Sequence, residues 1–159
     1  MSQILENDRQ ELTAGNTSTL ATEDAATTAP PRILLADDQE EILLTLVEML
    51  KDEFKIVGTA ENGIRVLEIA PSLAPDVVVL DISMPGVNGF DAARGLREGC
   101  SSAKVVFLTA HEDMDMVEGA MSLGALGYVV KSCLATDLVP AIWLAMAGQI
   151  FVSPSIYLT

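Results

Sequence analysis

The stretch Val77-Val78-Val79-Leu80-Asp81-Ile82-Ser83-Met84-Pro85-Gly86 decides the reading of this chain. Its first four residues are apolar without a break, so the pattern lacks the alternation of a strand with one wet face. A short continuous run of this kind suits a strand buried on both sides, as in a parallel sheet covered by helices above and below. Asp81 then places a carboxylate at the strand's mouth. Three other apolar runs end in polar chemistry: Ile33-Leu34-Leu35-Ala36 leads into Asp37-Asp38, Val105-Val106-Phe107-Leu108 into Thr109, and Gly127-Tyr128-Val129-Val130 into Lys131. Open parallel sheets bind ligands outside the carboxyl ends of their strands, so the functional site is expected along that edge.

From Arg32 onward, strand-like runs alternate with helical spacings, the pattern of an α/β fold with five strand–helix units. The first helix is expected over about 40–51, with Leu43, Leu46, Val47 and Leu50 as its core stripe. A second strand follows over 54–60, then a helix over 63–70 that turns Ile64 and Leu67 inward, with Val66 a further candidate, and stops before Pro71. The third helix is expected over 90–98, halted by Gly99, and the fourth carries Met114, Val117, Ala120 and Met121 at helical spacing. For the fifth, Asp137 is the better N-cap because it leaves Pro140 in the tolerated first turn, and Gly148 closes the helix. Leu138, Ala141, Ile142 and Ala145 suffice as its core stripe. Val139, Trp143 and Met146 then share a neighbouring face that either widens the core or forms a protein interface; the Trp and Met favour the interface.

The chain has 159 residues, half of them hydrophobic, enough for one core and a tail. Its formal net charge of −14 would repel phosphate backbones, so direct nucleic-acid binding is not expected. No apolar run reaches bilayer length, and the N-terminus lacks a basic region followed by an apolar one. A cytoplasmic protein without a membrane anchor is the expectation. Cys100 and Cys133 are isolated, which points to free thiols. Residues 1–30 hold one basic and five acidic residues among many Thr, Ala and Ser and end in Pro30, a composition suited to a solvated tail in which Ile4, Leu5 and Leu12 are too few to hold a helix.

Taken together, Asp37-Asp38, Asp81 with Met84-Pro85-Gly86, Thr109-Ala110, and Gly127-Tyr128 with Lys131 make residues 31–153 resemble the receiver domain of bacterial response regulators. The run from Gly127 to Ser132 and the ending Ile150-Phe151-Val152-Ser153-Pro154-Ser155-Ile156 resemble the NarL/FixJ subgroup, in which a linker and a helix-turn-helix domain usually follow. The resemblance implies a flavodoxin-like (CheY-like), doubly wound five-stranded parallel sheet in order 2-1-3-4-5, with 154–159 an extension or the start of a linker. It also implies phosphoryl transfer from a sensor histidine kinase or phosphotransfer protein to Asp81, with Mg²⁺ as cofactor. Asp38 and Asp81 are then expected as direct ligands, Asp37 as a ligand through water, and the Ser83 carbonyl as a further one. Lys131 and Thr109 would meet the phosphoryl group. Thr109 and Tyr128 would act as the switch pair, changing the face formed by the fourth helix, fifth strand and fifth helix, where a homodimer or another protein could dock.

The chemistry has its own logic: clustered carboxylates repel one another unless a cation sits among them, and a carboxylate nucleophile is one established route to covalent catalysis. Each residue also has a plain alternative. Asp38 alone reads as a helix cap, Thr109 as a strand-end hydroxyl, Tyr128 as core, Lys131 as a solvated charge, and His111 as a loop residue. Ser132 follows Lys131 where the family commonly has Pro, which makes a cis peptide there costly. Two other functions compete. A dehalogenase-like aspartyl-phosphate hydrolase would need a second acid two residues after Asp81, where Ser83 stands. A phosphorylation-independent adaptor would leave the acidic, Thr and Lys set without a purpose.

Overall fold

The computed structural model describes residues 29–158. The expected tail, with Ile4, Leu5 and Leu12, therefore lies outside the described residues except for Ala29 and Pro30. Six strands, β1 (Arg32–Ala36), β2 (Lys55–Ala60), β3 (Val77–Asp81), β4 (Lys104–Thr109), β5 (Gly127–Val130) and β6 (Phe151–Val152), form one sheet in the order β2-β1-β3-β4-β5-β6, all parallel. Five α-helices connect them: α1 (Glu40–Leu50), α2 (Gly63–Leu73), α3 (Gly89–Glu98), α4 (Met114–Ser122) and α5 (Leu134–Met146). This is the CheY-like fold, with one short strand added at the edge.

Strand residues alternate between two cores, one on each sheet face, as the pleat requires. Leu34, Val78, Leu80 and Phe107 point to the side covered by α2, α3 and α4. Ile33, Leu35, Val77 and Val79 face α1 and α5. Double coverage explains why the β3 run needs no polar residue before Asp81. The register then aligns the chemistry: Ala36 pairs with Leu80, Asp81 with Leu108, and Thr109 with Val130. Asp37, Asp81, Thr109 and Lys131 thus fall within one residue of a common level at the carboxyl edge.

Local expectations fail at four places. Pro71 does not end α2, which runs on to Leu73. Only the bond to the Leu67 carbonyl is forfeited, buried Ala70 anchors the last turn, and Ala74, at φ 47, caps it by donating to the Ala70 carbonyl. Ile64 is exposed while Gly63, Val66 and Ala70 face the sheet, so the stripe was read out of phase. Helix α3 does end at Gly99 as expected, although Gly99 keeps an ordinary φ and Cys100, at φ 64, takes the left-handed position after it. Helix α5 begins at Leu134, after a 3-10 turn over Lys131–Cys133, which places Asp137 in its first turns and Pro140 inside it. Thr136 and Pro140 are both exposed, so the Thr136 carbonyl left without a ladder partner meets water. The fourth is β6, whose two residues carry no periodicity to detect.

Ala74 pays for its left-handed φ without a glycine's freedom, and its side chain is exposed. Ala74→Gly is expected to raise stability by about 0.5–1 kcal/mol, the relief of strain exceeding the extra chain entropy lost on folding. A thermal melt unchanged or lowered by the substitution would contradict that balance.

Candidate functional site at the carboxyl edge of the sheet

Asp37 leaves β1 fully buried, and its Oδ1 accepts the Gln39 N–H at 2.8 Å. This fixes the carboxylate within its own turn. The N-cap of α1 is Gln39, which makes no side-chain capping bond, so the capping alternative for Asp38 is not what is found. Asp38 is exposed beside the pocket. Asp81, 2% exposed, holds the Ser83 N–H through Oδ1 at 3.2 Å. Lys131 Nζ stands 2.9 Å from Asp37 Oδ2 and 3.4 Å from Asp81 Oδ2; with Asp37 it forms an ion pair rather than an aligned hydrogen bond. Carboxylate oxygens of Asp37, Asp38 and Asp81 lie within 4.8 Å of one another.

Burial and then the neighbouring Asp37 charge push the Asp81 carboxyl up to about 6, against the pull of Lys131 and the Ser83 amide. For Lys131, burial works to lower the value but is outweighed by Asp37 and Asp81 together, so the ammonium is held above its ordinary range. One ammonium is therefore left to face three acids. Such a set, oxygen-only and acidic, fits a hard divalent cation that keeps some of its water.

Thr109 ends β4 fully buried, and its Oγ1 accepts the His111 N–H at 3.0 Å. Tyr128, also fully buried, donates its hydroxyl to the His111 carbonyl at 3.0 Å. The phenol is pushed up to about 12, first by burial and then by Asp113, with Thr109 opposing. Tyr128 is thus already turned inward. His111 itself is exposed, held by its backbone rather than its ring. Ser83 is exposed above the pocket, and among the described residues no peptide is cis, including 131–132.

Val139, Trp143 and Met146 do not join this group. Val139 is half-buried against the core shared by α1 and α5. Trp143 is 43% exposed, stacks on Phe54 at 5.1 Å between ring centroids and donates its indole N–H to Glu53. Nine residues of helix separate Leu134 from Trp143, about 13 Å along the axis. A groove of about 540 Å³ between the ends of α2 and α3 is also remote, since Asp76, Ser101 and Ser102 place it at the amino edge of the sheet.

Two glycines were missed as site residues. A Cβ on Gly89 would overlap the Asp81 carbonyl oxygen and stand 2.7 Å from Ile82 Cα, while one on Gly63 would overlap the Val87 carbonyl oxygen. Both let helix starts close on the turn after Asp81. Only the tertiary approach demands them, so no local motif marks them.

The described residues hold no helix long and apolar enough to cross a membrane. The family model of the response regulator receiver domain matches residues 33–143. Transcriptional regulatory protein PdtaR of Mycobacterium tuberculosis is 41% identical over 127 residues, 79% of this chain and 62% of that protein. Response regulator GacA of Pseudomonas viridiflava is 36% identical, with 79% of this chain and 59% of that protein covered. The chain spans about three-fifths of the length of these curated relatives. Among solved structures, a two-component response regulator of the LuxR family from Aurantimonas matches with TM-score 0.77 and 29% identity over 82% of this chain and 94% of its own. The receiver domain of the response regulator NarL from M. tuberculosis matches with TM-score 0.73 and 28% identity over 77% and 100%. With the acidic pocket and the sheet order agreeing, the chain belongs to the response regulator receiver family of two-component signalling.

Proposed function

We propose that Asp81 accepts a phosphoryl group from the phosphohistidine of a sensor histidine kinase or phosphotransfer protein in a Mg²⁺-dependent reaction, and that the aspartyl phosphate changes affinity for a protein partner. The observation that carries this reading is the buried Asp81 carboxylate beside Lys131, with Asp37 and Asp38 in reach. Asp38, Asp81 and the Ser83 carbonyl would hold the metal, Asp37 through water. When bound, the ion supplies positive charge against the phosphoryl oxygens. An Asp81 carboxylate oxygen attacks phosphorus, the bond to the histidine nitrogen breaks, and the imidazole keeps the electron pair and takes a proton. Lys131 balances charge on the transferred group, and the Thr109 hydroxyl, one residue beyond the register partner of Asp81 on the neighbouring strand, donates to it.

In this reading the chain acts stoichiometrically in the cytoplasm rather than as a turnover enzyme. Its phosphorylated form engages a protein partner or a second copy through α4, β5 and α5, with Val139, Trp143 and Met146 as a further docking face. Any control of transcription would reach DNA through another domain or protein. The test is acetyl phosphate with Mg²⁺, read by intact mass. Wild-type protein should gain one phosphoryl group, and Asp81→Asn none; labelling of Asp81→Asn at full stoichiometry would overturn the assignment. Hydrolysis of generic phosphate esters with multiple turnovers would instead favour the hydrolase reading.

A further inference from the structure

The segment after α5 is tied to the pocket's supporting residues at three points. After β6 pairs with Gly127 and Tyr128, the chain peels away, and Ser153, fully buried, replaces the missing ladder partner: its N–H donates to the Tyr128 carbonyl at 2.9 Å and its Oγ accepts the Val130 N–H at 3.0 Å. Val130 directly precedes Lys131. Ile156, 5% exposed in the 3-10 turn Pro154–Leu158, joins the same core cluster as Tyr128 and Val130. Ser155 Oγ donates to Glu112 Oε2 at 3.3 Å across the surface. Glu112 follows His111, whose amide and carbonyl are held by Thr109 and Tyr128.

These ties differ in strength. The Ser153 bonds are buried and leave no water to replace them, whereas the Ser155–Glu112 bond is exposed and weak. A displacement of the backbone at 110–112 therefore breaks the outer tie first.

We propose that the outer side of the 3-10 turn Pro154–Leu158 is the conformational readout of the pocket, held down through Ser155–Glu112 in the unmodified protein and loosened when Asp81 is modified, while Ser153 and the buried Ile156 stay seated. The proposal rests on the phosphoacceptor reading of Asp81. A phosphoryl oxygen that accepts the Thr109 O–H draws that hydroxyl toward Asp81, and the His111 N–H, which donates to the same Thr109 oxygen, follows it. The loop carrying Glu112 then shifts toward the pocket and away from Ser155. Tyr157 and Leu158, 61% and 81% exposed, move with the loosened side of the turn.

The test is amide hydrogen exchange on the full chain with and without Mg²⁺ and beryllofluoride, binding being followed independently by fluorine NMR. Exchange over 154–158 should quicken about fivefold on binding, the scale of one ordinary exposed hydrogen bond lost, with 150–153 unchanged. Ser155→Ala should quicken the same peptide without ligand and show under twofold further change with it. By reciprocity, Ser155→Ala should also bind beryllofluoride about fivefold tighter than wild type, which a purely structural role for Ser155 would not produce. Binding with unchanged or slowed exchange at 154–158, or unaltered beryllofluoride affinity in Ser155→Ala, overturns this proposal alone. Failure of wild-type protein to bind beryllofluoride overturns the phosphoacceptor reading and this proposal with it.

Discussion

Asp81→Asn is expected to make the metal-free protein more stable than wild type at pH 7.5 by about 1–3 kcal/mol, and to remove the stabilisation that Mg²⁺ confers. The folded protein raises the Asp81 carboxyl from 3.8 to about 6 because burial and Asp37 both penalise its charge. A raised acid favours its protonated form in the fold. Its contribution is therefore fully present below pH 3.8 and lost as pH rises to about 6, because in that window the native state binds more protons than the unfolded one. Asn keeps the shape, keeps an oxygen for the Ser83 amide and carries no charge. The value of about 6 is already net of the attraction of Lys131, so losing that attraction takes nothing further from the gain.

Denaturant melts in EDTA from pH 4 to 8 would read this directly. The difference between variant and wild type should grow from pH 4 to 6 and then level off. Adding Mg²⁺ should raise the wild-type midpoint in proportion to the logarithm of its concentration and leave the variant nearly still. A variant no more stable than wild type at pH 7.5 in EDTA would mean that the Asp81 charge is well solvated, and the electrostatic account of the pocket would fail. Function is thus set against stability at this residue: the carboxylate that costs the metal-free protein stability is the one the proposed chemistry requires.

The same locality explains what the sequence revealed. Strands β1, β3, β4 and β5 carry continuous apolar runs because both faces are covered, and each ends in, or directly before, the residue it delivers to the edge. Asp37, Asp81, Thr109 and Lys131 were legible for that reason: strand ends fix position along the chain, and parallel register fixes it across the sheet. Features set by contacts between elements were not legible. Pro71 and Pro140 sit inside helices because buried neighbours and solvent-facing carbonyls absorb what local rules treat as fatal. Ile64 was placed inward by hydrophobicity alone, yet the helix rotates so that Gly63 meets the Val87 backbone. The hold of Ser153 on Val130, and with it the meaning of β6, depends on a partner 23 residues away in the chain. Tyr128 was readable as a switch residue only by family resemblance, and its inward position follows from the His111 carbonyl that caps it.

Gly89→Ala is expected to cost about 2–4 kcal/mol and slow phosphoryl acceptance at least tenfold, whereas Gly86→Ala should cost about 1 kcal/mol and leave the rate nearly unchanged. The contrast comes from what surrounds each glycine. Gly86 does adopt φ 71, but nothing lies within 4 Å of a Cβ built there, so the penalty is conformational strain alone. Gly89 has the opposite problem. Its added carbon meets the Asp81 carbonyl oxygen and Ile82 Cα, which are backbone and cannot rotate aside. Its N–H also donates to the Ile82 carbonyl at 2.8 Å, so the start of α3 is bonded to the chain it would push. Relief requires Asp81 and Ile82 to shift together, carrying the nucleophilic carboxylate away from Asp37, Asp38 and Lys131. Denaturant melts paired with acetyl phosphate labelling rates would separate the two glycines. Equal rate losses in both variants would show that turn geometry, and not the approach of α3, positions Asp81.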